Sequence, residues 1–168
     1  LRLNDLQGLV DARCIAVGAK VWTVLFTASR DATNRAVSLL PSSSYEPTVE
    51  VPITTLDQVF KANSSFAPLV WKVDVEGYEP EVLSGAPHAL HHPQLRAVLL
   101  EADSPALQRT MEEAGFSRYS YDLFSRQLSP ATSPGASSGH NQLWIRDLAF
   151  VQERCSTANP VRVGRIDL

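Results

Sequence analysis

Trp71-Lys-Val-Asp-Val-Glu-Gly-Tyr-Glu79 is a strand that ends abruptly in acid. Leu69 to Val73 is short, mostly apolar and rich in β-branched residues, the composition of a strand packed on a core. It stops at two carboxylates one residue apart, Asp74 and Glu76, followed by Gly77, and Pro80 supplies the fixed φ suited to the first turn of a helix. Strand, acidic turn and helix in that order place Asp74 and Glu76 at the carboxyl end of the strand. In open α/β sheets the ligand crevice lies outside those ends, which makes the two acids the first candidates for chemistry.

The same pattern recurs downstream. Leu95 to Leu100 reads as a buried strand that finishes in Glu101 and Asp103. Ser104 and Pro105 then fit an N-cap and first helical position, Leu107, Met111 and Ala114 recur at helical spacing, and Gly115 fits the stop. Upstream, Ala12 to Val17 and Val21 to Thr27 are strand candidates around a turn at Gly18-Ala19-Lys20, and Val49 to Ile53 resumes an extended pattern after a polar stretch at 29–48. Thr55 and Gln58 have capping-box spacing ahead of Leu56, Val59 and Phe60. Glu79 to Ala86 reads as a short helix, Phe116 to Tyr121 as a strand, and Gln142 to Ile145 as the last strand beyond a Ser, Pro and Gly-rich segment at 129–139. From Gln152 onward no periodicity is clear. Alternating strands and helices over residues 49–145 predict an α/β fold with a largely parallel sheet, its final two strands pairing antiparallel.

Composition narrows the function classes. The chain has 168 residues, 44% hydrophobic and 20% charged, the size of one domain; residues 1–148 are expected to form it and 149–168 a tail. A net charge of -3 argues against a duplex-binding surface, and no nucleic-acid partner is expected. Cys14 and Cys155 are too few and too distant in sequence for a disulfide framework or a zinc site, and no metal is assigned. No apolar run is long enough to span a bilayer and no secretory leader pattern is present, so a cytoplasmic chain is expected. The opening Leu-Arg-Leu-Asn reads as the end of a helix already under way, and a preceding segment is expected. Neither G-x-x-x-x-G-K-[ST] nor G-x-G-x-x-G occurs.

Several motifs together carry a resemblance. Thr-Leu-Asp at 55–57, Lys-Val-Asp-Val-Glu-Gly-Tyr-Glu at 72–79, Glu-Val-Leu-Ser-Gly-Ala at 81–86, Leu-Leu-Glu at 99–101, Gly-Phe at 115–116 and Asn-Gln-Leu-Trp-Ile at 141–145 resemble, in order and spacing, FkbM-type methyltransferases. The resemblance implies a Rossmann-like class I fold dependent on S-adenosylmethionine, mostly parallel with an antiparallel last strand, acting in O-methylation of a small-molecule or sugar hydroxyl. On that plan Cys14 to Val17 are similar to the third strand, Trp71 to Asp74 to the fourth, Ala97 to Glu101 to the fifth and Gln142 to Ile145 to the seventh. The first two strands, which hold the family's Asp-x-Gly-Ala-x-x-Gly cofactor loop, have no counterpart. Weak or absent S-adenosylmethionine binding by this chain alone is therefore expected.

The resemblance implies roles that stand beside plainer ones. Asp74 would accept the hydroxyl proton or orient the acceptor next to the cofactor; otherwise it caps the next helix. Glu76 would be a second acid/base group or a divalent-cation ligand; otherwise it holds the Gly77 turn. Glu101 would bind the acceptor, against a capping or surface role, and Asp103 is read as capping. Ala16 and Val17 would border the adenine, against the default of core. Lys72 reads as a positioning partner for the carboxylates and His140 as a loop residue within reach of the crevice. His88, His91 and His92 read as surface residues, Tyr78 and Trp71 as packing. Two further function classes stay open: a non-catalytic interaction module, and a metal-dependent glycosyltransferase using Asp74-Val75-Glu76 as an Asp-x-Glu motif.

Overall fold

Strands form where β-branched and aromatic residues cluster, and hydrogen bonding joins them into separate ladders. The computed structural model describes residues 5–6, 8–29, 37, 47–62, 69–75, 77–131, 141–160, 162–163 and 166–167. Its largest sheet has five strands in the order β4 (Val70–Val73), β5 (Ala97–Leu100), β8 (Gln142–Ile145), β6 (Ser117–Asp122) and β7 (Gln127–Pro130). Strand β4 runs parallel to β5, with Val70 opposite Ala97 and Val73 opposite Leu100. β8 lies between β5 and β6 and is antiparallel to both. β7 closes a hairpin with β6.

Among these strands one adjacent pair is parallel and three are antiparallel, so the ladders do not display the largely parallel sheet expected. The cause is the insertion of β8 and the hairpin to β7. Because β8 opposes both neighbours, β4, β5 and β6 still run in one direction, and their carboxyl ends share one edge.

The second sheet is three-stranded, with β3 (Thr48–Thr54) at its centre. β2 (Trp22–Thr27) pairs antiparallel along it, and β1 (Ala16–Val17) pairs parallel with Ile53 and Thr54. The expected run from Ala12 narrows to two residues, since residues 11–15 are exposed and join no ladder. β1 and β2 flank β3 rather than pairing with each other, and the strand mapped as the third of the methyltransferase plan joins this sheet, not the larger one. A two-residue ladder, β9 (Arg162–Val163) with β10 (Ile166–Asp167), ends the chain.

Pleating sorts the residues of β4: Trp71 and Val73 point to one face and are buried, while Val70 and Lys72 point to the other and are exposed. On the buried face Val98, Leu100 and Trp144 join them, covered by Val82 and Leu83 of helix α2 (Glu79–Ser84) and by Leu107 and Met111 of helix α3 (Pro105–Glu113). Each such side chain contributes roughly 1.5–3 kcal/mol when fully buried. Helix ends follow local chemistry. Ser104 accepts from the Leu107 amide at 3.2 Å, and Gly115 stops α3 at φ +84°. Helix α1 (Leu56–Ala62) uses half of its capping box: Thr55 accepts from the Gln58 amide at 3.2 Å, but the Gln58 side chain bonds Thr54 instead of returning. Asp147 caps helix α4 (Leu148–Thr157), which runs into the start of the stretch without clear periodicity.

Two residues tie these parts together. Asp57 accepts from the backbone amides of His88 and Ala89, the latter at 2.7 Å, pinning α1 to the short 3-10 turn at Ala89–His91. Gly85, which ends α2, lies so close to β1 that a Cβ there would sit 2.0 Å from the Gly18 carbonyl oxygen. With φ at -87° its backbone is open to any residue, so glycine is required by space alone. Gly85→Ala forces backbone apart and is expected to destabilise the fold by about 2 kcal/mol or more, read as a lower urea midpoint. An unchanged midpoint would show that β1 does not pack there.

Candidate active site

The register of β4 on β5 sets Asp74, one residue past Val73, beside Glu101, one residue past Leu100. The two carboxyl groups are hydrogen-bonded. Lys72 projects from the exposed face of β4 two residues before Asp74, as a pleated strand requires, and its Nζ pairs with the Asp74 Oδ2. The Asp74 carboxyl is held below its usual value of 3.8, first by the Lys72 hydrogen bond, then by the hydrogen bond to Glu101 and by the Lys72 charge. The result is a solvent-facing carboxylate kept charged, with a second carboxyl group oriented against it.

A polar network extends the same edge. Arg118 on β6 donates from Nη1 to the Gln142 Oε1 and to the Asp103 Oδ2, both at 3.0 Å. Gln142 is buried and lies opposite Leu100, next to Glu101 in the ladder. Asp103 is thus an ion-pair partner and Ser104 is the cap, a correction to the capping role expected for Asp103. Nothing in the helical or strand periodicity marks Arg118; its signal is a cation on a strand that ends beside an acidic edge.

Glu79 is a second unexpected feature. It is fully buried in the first turn of α2, and neither carboxylate oxygen has a hydrogen-bond partner among the described residues. The helix dipole favours an anion at this position. Its only sequence signal is a carboxylate directly before Pro80.

The remaining candidates fall in different places. Glu76 and His140 lie outside the described residues; Asn141 is exposed just before β8. Ala16 and Val17 are half-buried in β1, Val17 against the main core, and the adjoining Gly18 is enclosed by the Tyr78 ring and Ile53. They share no ladder with β4 or β5. Trp71 is buried edge-on to Phe60 at 5.7 Å, and Tyr78 packs on the core, its hydroxyl pushed up first by burial and then by Glu81. His88 and His91 are exposed, whereas His92 is half-buried with its ring 5.8 Å from Phe60. Among the described residues no group of three His, Cys, Asp or Glu side chains converges on a metal-sized site. No helix there is long and apolar enough to cross a membrane.

The family model of the methyltransferase FkbM domain matches residues 4–120, well over half of the chain. The chain belongs to the FkbM methyltransferase family. No curated protein and no solved structure matches it. Within this FkbM domain the match covers β1 through most of β6, and so includes Asp57, Lys72, Asp74, Gly85 and Glu101, while β8 and α4 lie past its end.

A depressed carboxyl value carries a definite sign. The Asp74 interactions stabilise the fold above the unfolded-state value and are lost as pH falls through the lower folded one, so the Lys72–Asp74 ion pair is intact at neutral pH and is lost below 3.8. In Lys72→Met the largest cause is gone, and carbon-detected NMR is expected to show Asp74 titrating at higher pH than in the wild type. An unmoved titration would mean that Lys72 does not engage it.

Proposed function

We propose that this FkbM domain acts in S-adenosylmethionine-dependent O-methylation of a small-molecule or sugar hydroxyl, with Asp74 and Glu101 holding the acceptor. The observation that carries this is the hydrogen-bonded carboxyl pair at the shared carboxyl-end edge of β4 and β5. A hydroxyl oxygen becomes a better nucleophile as its proton is drawn away, and a charged carboxylate within hydrogen-bond reach does this. Asp74 is the proton acceptor in this scheme. Glu101 orients it and the acceptor, and Lys72 keeps it anionic. Glu76, two residues on in the same acidic turn, is proposed as a second contact to the acceptor. The order β4-β5-β8 supports a class I reading in which these are its fourth, fifth and seventh strands, while β1, mapped as the third, lies in the other sheet.

The residues present do not fit the whole cofactor. S-adenosylmethionine supplies a methyl group from a sulfonium centre, and its methionyl carboxylate and ribose need a dense set of partners, backbone donors above all. The 168 residues contain no Asp-x-Gly-Ala-x-x-Gly loop. Ala16 and Val17, the adenine-side candidates, offer half-buried apolar surface, and the end of their strand is closed by Tyr78 and Ile53. Unpaired polar groups on a ligand cost about 1–3 kcal/mol each, so the chain by itself is expected to hold the cofactor weakly.

A radiolabelled methyl-transfer assay, run at millimolar S-adenosylmethionine against a panel of sugars and small alcohols, tests the acceptor role. Asp74→Asn is expected to lower transfer by about 100-fold or more, within the range set by general-base loss, while leaving the unfolding midpoint within about 0.5 kcal/mol of wild type because the site is exposed. Equal transfer by the variant would remove Asp74 from the chemistry. No transfer by the wild type to any acceptor would favour the interaction-module reading.

A further inference from the structure

The face of the five-stranded sheet opposite the core is only partly covered by α4, and a groove of about 590 Å³ runs between them. Its floor is apolar: Leu69 and Val70 at the start of β4, and Phe150 and Val151 on α4. Leu69 and Val70 are 47% and 57% exposed, a high fraction for adjacent aliphatic residues in and beside a sheet strand. The volume falls within the roughly 300–1,000 Å³ typical of small-molecule sites. The groove is remote from the carboxyl pair along β4, since Val70 and Asp74 are four residues apart in an extended strand, about 13 Å.

Its charge is what identifies an occupant. In a chain of net charge -3, the described lining of this groove holds Arg96, Arg126 and Arg154 and no carboxylate. Two of these are held in place before any ligand arrives. Arg96 Nη1 is paired with Asp147 at 2.9 Å, and its guanidinium lies 5.4 Å from the centre of the Phe150 ring, leaving a buried Nε without a partner among the described residues. Arg126 donates from Nη1 to the Ala158 carbonyl at 2.7 Å. Arg154 is exposed on α4. A guanidinium that is already oriented loses little entropy on binding an anion, and it binds carboxylate and phosphate oxygens through two parallel donors. Tyr121 and Cys155 also line the groove.

We propose that this groove is a binding site for an amphiphilic anion, a soluble small molecule with a carboxylate or phosphate head and an apolar chain or ring. The tail lies on Leu69, Val70 and Val151, and the head meets the arginines. The site is separate from the proposed acceptor site and does not depend on methyl transfer. The groove is a concave channel between β4 and α4, a shape that suits one chain laid along it rather than a flat bilayer.

Decanoate is the probe, with decan-1-ol as the neutral control, titrated by calorimetry against the full chain. Saturable one-to-one decanoate binding is expected, about tenfold weaker in Arg154→Gln, as loss of one charge-assisted hydrogen bond predicts, with decanol binding unchanged. Val151→Trp, which fills the floor, should weaken both ligands. In a Cys14→Ser background decanoate should also slow iodoacetamide alkylation of Cys155, an assay that needs no arginine variant to fold. Absence of decanoate binding, equal affinity for decanol, or binding that leaves Cys155 alkylation unchanged overturns the proposal. Binding to anionic-lipid vesicles or self-association without decanoate binding also overturns it, and assigns the face to a membrane or to a second copy.

Discussion

The parallel pairing of β4 with β5 is the constraint on which the rest depends. A one-residue slip would turn Trp71 and Val73 out of the core and carry Asp74 away from Glu101 at once, because side-chain direction alternates at every residue. Core packing and the carboxyl pair are therefore fixed by the same register. The apolar alternation that buries Trp71 and Val73 also aims Lys72 to the side from which it reaches Asp74. A site built this way needs few residues of its own, since the strands that carry it are held by hydrophobic burial elsewhere.

Charged groups lock the elements around that pair. Arg146, just past β8, donates to the carbonyls of Leu90 and Ala114 from one terminal nitrogen and to those of His92 and Leu95 from the other, with its guanidinium 4.2 Å from the centre of the Phe116 ring. Its value is pulled below the usual guanidinium range by burial first and by Arg96 second. Asp57 does the corresponding work for α1, and the close contact of Gly85 with Gly18 seats the three-stranded sheet. Two motifs that carried the family resemblance, Thr-Leu-Asp and Glu-Val-Leu-Ser-Gly-Ala, thus hold structural residues, whereas the Asp74 and Glu101 motifs hold the candidate chemistry.

Much of this was legible from residues alone, where local chemistry decides. Gln142 to Ile145 forms a strand with the predicted bounds because its apolar run is short and sharply flanked, and Ser104-Pro105 starts α3 because cap and fixed φ act within one turn. Strand partnership was not legible: nothing in Ala16 and Val17 says that they pair with Ile53 and Thr54. Helix α4 escaped because none of its residues is fully buried, so its apolar pattern is weak. The hairpin strand β7 runs into the Ser, Pro and Gly-rich segment at 129–139, whose composition favours loops. Arg118 and Glu79 act through long-range neighbours, which a single chain's periodicity does not encode.

Under the proposed function the pair of carboxyl groups faces the acceptor, and the 168 residues contain no Asp-x-Gly-Ala-x-x-Gly loop to hold the cofactor. Calorimetric titration of the chain with S-adenosylmethionine tests that division directly. Heats too small to fit, or a dissociation constant of about 1 mM or weaker, corresponding to about 4 kcal/mol or less of binding energy, are the predicted result. Micromolar one-to-one binding would contradict it.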